Sequence, residues 1–184
     1  MTEEESLIAW TTKRDPTLRD EARRAIEAGR PWDSFLLRKI QDNVIDAECL
    51  YRGTTVSASD PLLSVKVGDS FSMLPSSWSA EHQIAAQFFR NQFRPKDVPL
   101  FMLLQGRPIH GFDLAEYFEA KGHPRARLVG GIDLATYFDA RSRSHLTAQR
   151  EVITAGRFQV LDAQALHEGS LLIVKQTGVY GREL

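Results

Sequence analysis

The sequence predicts an α+β fold: helices come first and a run of short strands follows. Three observations carry that prediction. Apolar residues recur at helical spacing up to about residue 47. From Cys49 onward the apolar runs are short, β-branched or aromatic, and bounded by Gly, Pro and Ser. Few helices separate those strands, so the βαβ alternation of a parallel sheet is missing.

The 184 residues suffice for one compact domain, 1–184, with a helical part at 1–47 and a β-rich part at 48–184. At 42% apolar and 26% charged residues the composition is that of an ordinary globular protein. A net charge of −1 excludes general attraction to nucleic acid or membrane, and no apolar run approaches the roughly 18 residues of a membrane span. The start, MTEEESLIAW, is acidic where a secretory signal is basic. Cys49 is the only cysteine, so no disulfide can form within the chain. The five histidines show no ligand spacing, and no metal is expected. A cytoplasmic location, or delivery into a cytoplasm, is the expectation.

Element by element, Asp15-Pro16 supplies an N-cap with an N1 proline and Gly29 a stop. Leu18, Ala22, Ala25 and Ile26 form the apolar face between them. A second helix starts near 31–33, with Phe35, Leu36, Ile40, Val44 and Ile45 at helical spacing. CLYRG at 49–53 reads as a short strand ending at the glycine. Further strands are expected around Val65, Phe71, 98–104, 127–129, 151–154, 158–161 and 171–175. Helices are expected at 80–91, 114–120 and 134–140. QREVITAGRFQV at 149–160 reads as a β-hairpin turning at 154–157. FDLAEYFEAK and IDLATYFDAR are alike, but two copies make no solenoid and read as two amphipathic turns of similar design.

Three polar constellations stand out. Arg52 beside Gly53 can present a guanidinium fork to a phosphate, or be a plain surface arginine on an edge strand. In Ser76-Ser77-Trp78-Ser79, Ser79 suits the N-cap of the helix from Ala80, whereas Ser77 has no such role and could hold a carboxylate. Gln149 and Glu151 share one strand face, either as a site or as the solvated side of an edge strand. From Lys121 to Arg150 six Lys or Arg face two carboxylates, so the approach to that pair is positive.

In this order, with Leu-Tyr-Arg-Gly, then Ser-Trp-Ser leading to Ala85 and Phe88, then Glu-Val-Ile-x2-Gly-x-Phe-x-Val, the chain resembles the R-S-E class of mono-ADP-ribosyltransferases over about 50–184. The resemblance implies a split, mostly antiparallel β-sandwich with NAD as co-substrate in a cleft. It makes Glu151 the catalytic carboxylate, which stabilises positive charge on the ribose as nicotinamide leaves and needs no raised pKa for that. It implies that Arg52 grips the NAD phosphates or adjoining ribose, Gly53 meets the nicotinamide carboxamide, Ser77 positions Glu151 and Ser79 braces the cleft. Phe93 and Arg94 match the family's aromatic and arginine after the serine motif. Trp78 stands where the family often has Thr, and could pack the sandwich or shape the pocket.

Gln149 would orient the acceptor, and the family uses Gln there for acceptors other than arginine. The acceptor is then a macromolecule, protein or nucleic acid, met through the basic 121–150 segment, where Tyr137, Phe138 and ARSRSH take the place of the family's target-recognising loop. No RNA-binding signature favours nucleic acid by itself. Two alternatives stand beside transfer: an NAD glycohydrolase, and a non-catalytic module that keeps the fold.

Overall fold

The structure, a computed structural model, describes residues 2–3, 5–7, 10, 17–80, 82, 85, 96–120 and 151–184. Residues 3, 5–7 and 10 are helical (α1), followed by α2 (Thr17–Glu27) and α3 (Phe35–Asp42). Strands β1 (Cys49–Ser57) and β2 (Ser70–Ser79) precede the helical His82 and Ala85 (α4). Then come β3 (Asp97–Gln105), β4 (Phe112–Asp113), α5 (Leu114–Ala120), β5 (Glu151–Leu166), β6 (Gly169–Val179) and β7 (Arg182–Glu183). No helix among the described residues is long and apolar enough to cross a membrane.

The strands lie in the order β4-β5-β2-β1-β3-β6-β7, and pairing between β5 and β6 closes the sheet on itself. Every pairing is antiparallel except β3 with β6. The expected α+β class with a mostly antiparallel sheet is what forms. β1 pairs with β3 along its whole length, from Cys49 opposite Gln105 to Ser57 opposite Asp97. Against β2 it makes a single register pair, Tyr51 opposite Ser79. The ring of strands is therefore split between β1 and β2.

Alternation along β5 divides the apolar residues between two cores. Val152, Phe158 and Val160 face into the closed sheet with Leu50, Trp78, Leu100, Leu104, Leu172 and Val174. Ile153 and Ala155 face outward, against Leu7, Leu18, Ala22, Phe35, Leu36 and Ile40 of the helices. The N-terminal helices thus pack on the outer face of β2 and β5. Trp78 is inner core, 2% exposed and stacked on Phe158, so it packs the sheet.

Several local expectations are corrected. The segment 154–157 is no turn: β5 runs unbroken through it and the chain reverses at His167-Glu168. Gly156 has φ +122, and a Cβ there would collide with the Gly178 carbonyl oxygen. Its glycine serves close approach of β6 at an irregularity in the ladder, which a sequence cannot tell from a turn glycine. Strand β1 does not end at Gly53 but continues to Ser57, because β3 pairs with all of it. Helix α3 stops at Asp42, and Val44 is 60% exposed in a bridge to His110. Val65 lies outside any strand, after the 3-10 turn Pro61–Leu63. The elements expected at 127–129 and 134–140, and most of 80–91, lie outside the described residues.

Candidate active site

Three adjacent strands set the site. Glu151 on β5 pairs with Ser79 on β2, and Ser79 pairs with Tyr51 on β1, so one row crosses the sheet at the start of the split. Arg52 is one residue beyond that row, and Ser77, opposite Ile153, is two residues back along β2. Pro75 explains the local shape of β2. Proline has no N–H to give the ladder, and the register of β2 against β5 shifts between Met73 and Ser76. Beyond the bulge the ladder resumes from Ser76 to Ser79, which fixes Ser77 and Ser79 on the face that carries Glu151.

At the split, Arg52 takes up backbone that β1 does not pair. Its Nη1 donates to the Ser77 carbonyl oxygen at 2.6 Å. Its Nε is buried and has no hydrogen-bond partner among the described residues. Burial, and then the nearby charge of Arg19 on α2, push the Arg52 pKa down to about 10, partly offset by Glu151. The guanidinium remains charged at neutral pH. A buried N–H without an acceptor costs about 1–3 kcal/mol, so this N–H favours an oxygen acceptor.

Glu151 accepts side-chain hydrogen bonds from Ser77 and from Trp10 of α1, and feels the charge of Arg52. Burial nevertheless wins, and its pKa is raised above the ordinary carboxylate value. Ionised charge stabilisation does not require a raised value. The raise follows from the helices that cover this face of the sheet. Gly53 is buried opposite Phe101, and Ser79 is buried at the row itself.

The structure therefore brings together Arg52, Gly53, Ser77, Ser79 and Glu151. Gln149, Phe93, Arg94 and the basic 121–150 segment lie outside the described residues. Two residues were missed from sequence: Trp10, on the Glu151 carboxylate, and Arg19, near Arg52. A signal for Trp10 did exist. Thr2 and Glu5 have capping-box spacing, and Leu7 and Trp10 are three apart on the helix that follows. Among the described residues no cluster of His, Cys, Asp or Glu could hold a metal ion.

No family model matches the chain, and no curated protein does. Solved structures do match in fold. The ADP-ribosyltransferase Vis in complex with the M6 inhibitor superposes with a TM-score of 0.58 at 14% identity, covering 99% of this chain and 75% of that one. Vis in complex with agmatine gives a TM-score of 0.56 at 14% identity, with 99% and 82% covered. The Vis toxin, an ADP-ribosyltransferase from Vibrio splendidus, gives 0.56 at 14%, with 99% and 81% covered. The chain shares its fold with these ADP-ribosyltransferase structures, the match covering 99% of it.

Proposed function

We propose that this chain is a mono-ADP-ribosyltransferase that takes NAD as co-substrate and transfers ADP-ribose to a macromolecular acceptor, releasing nicotinamide. The observation that carries the reading is the convergence of Arg52, Ser77 and Glu151 where β1 and β2 part. The residues present fit NAD. Arg52 has a buried Nε–H lacking an acceptor among the described residues, which suits a phosphate oxygen, and Arg19 adds positive charge nearby. When bound, NAD supplies a ribose carrying a cationic leaving group.

The chain's own residues then divide the work. The Glu151 carboxylate accepts from a ribose hydroxyl and stabilises the positive charge that develops as the glycosidic bond breaks. The Ser77 hydroxyl fixes the carboxylate rotamer, Arg52 holds the phosphates and Gly53 offers its backbone to the carboxamide. Ser79 joins β2 to β5 beside Glu151. Phe93 and Arg94 complete the NAD contacts. Gln149 orients the acceptor, a protein side chain other than arginine or a nucleic acid, which approaches over the basic 121–150 segment.

The test is incubation with NAD labelled in the ADP-ribose part, with cell lysate split into protein and nucleic-acid fractions. Label should enter one fraction, and Glu151→Ala should reduce transfer at least about a hundredfold, the scale of losing one electrostatic stabiliser. Nicotinamide release without label transfer would replace the transferase reading with a glycohydrolase. Absence of any NAD turnover would remove both.

A further inference from the structure

Trp10 reaches the site from outside the strands. Thr2 opens α1 with a reciprocal cap: the Glu5 N–H donates to Thr2 Oγ1 at 3.2 Å, and the Thr2 N–H to Glu5 Oε2 at 2.7 Å. Leu7 and Trp10, three residues apart, share a helix face. Leu7 is fully buried among Leu18, Phe35, Phe112 and Ile153, and Trp10 packs on the same cluster. Ile153 lies two residues from Glu151 on the same strand face. Anchoring Leu7 therefore delivers the Trp10 indole to the Glu151 carboxylate, to which it donates.

We propose that Trp10 is a positioning residue for Glu151: its indole N–H and the Ser77 hydroxyl together hold the carboxylate in the orientation that meets the ribose. The catalytic meaning of that contact rests on the transferase reading, whereas the contact does not. An indole N–H is a donor only, while a serine hydroxyl can donate or accept. Ser77 can thus serve either protonation state of Glu151, whereas the donor-only indole of Trp10 bonds more strongly to the charged, acceptor-only form than to the neutral acid. The groups facing the carboxylate are Ser77, Trp10 and Arg52, and the charge of Arg19 acts on Arg52. All three direct neighbours favour charge against the burial that opposes it.

The test uses the full chain labelled with 13C at the glutamate side-chain carboxyl, with the Glu151 signal assigned by its loss in Glu151→Gln. In Trp10→Phe, with folding checked by thermal melting, the Glu151 midpoint should move to higher pH. The kcat/KM for NAD at the acid end should fall about tenfold, mostly in kcat, the scale of one hydrogen bond to a charged group. Trp32→Phe, which alters an exposed residue on the turn Pro31–Asp33, should change neither. Equal Glu151 midpoints in wild type and folded Trp10→Phe would overturn the proposal.

A second measurement leaves Trp10 in place. The Trp10 indole N–H cross-peak of the wild type should follow the Glu151 titration, and lose that dependence in Glu151→Gln. A cross-peak indifferent to Glu151 overturns the proposal even if Trp10→Phe fails to fold. A wild type without NAD turnover would sink the transferase reading, and the two titrations would still decide whether Trp10 holds Glu151.

Discussion

Glu151 stands where packing and charge pull in opposite directions. Ser77, Trp10 and Arg52 all favour its carboxylate form, yet burial raises its pKa. The folded state therefore prefers the neutral acid more than the unfolded chain does. That contribution to stability is fully present below the unfolded value of ~4.3 and is lost as pH rises through the higher folded value. Glu151→Gln, neutral at every pH, escapes the loss. Calorimetry should give this variant a higher Tm than wild type at pH 8, with the gap narrowing towards pH 4. A lower Tm at pH 8 would mean that the polar neighbours outweigh burial. Sequence alone exposed the misfit of a carboxylate opening a β-rich stretch. It could not weigh the terms, because the covering helices come from residues more than a hundred positions away.

At the scale of elements, β5 carries both cores and the site, and Gly156 lets it do so. Replacement by Ala places a Cβ on the Gly178 carbonyl in a backbone conformation that L side chains avoid. Gly156→Ala should destabilise by at least about 3 kcal/mol. Thermal melting should show a fall in Tm of roughly 6–12 °C for a chain of this size. A Tm within a degree of wild type would show that β6 yields there. The same glycine marks what the sequence hid. Period-2 patterning was legible at 151–154 and 158–161, but a glycine between two strand patterns looks alike whether the chain turns or a neighbour presses close. Helix α2 was legible because Leu18, Ala22 and Ala25 repeat on one face. The end of α3 was not, since Val44 keeps the helical spacing while its backbone pairs with His110. Arg52, Ser77 and Glu151 are singled out by order along the chain, whereas the approach of Trp10 to Glu151 and of Arg19 to Arg52 depends on tertiary packing that no spacing around the motifs displays.

At the scale of the whole molecule, the pieces form a closed sheet with helices laid over the face that bears the carboxylate. Buried Gln176 ties the segment before β4 to that sheet: it accepts from the His110 N–H at 2.7 Å and donates to the Ala155 carbonyl at 2.9 Å. Cross-strand ladders brace the ring between β1 and β3, β3 and β6, β6 and β5, and β5 and β2. Between β1 and β2 a single register pair remains. Mechanically this is a slit cylinder. Such a body is stiff around its wall and compliant only at the slit, where width can change without any ladder being broken. Arg52 spans the gap with one bond to Ser77, a strut at the place of least stiffness. An anion gripped by Arg52 would load that strut and draw the lips together. Amide exchange measured with and without NAD should slow at 52–55 and 76–79 and stay level in β3 and β6. Slowing spread evenly round the cylinder would mean that the slit is as rigid as its wall.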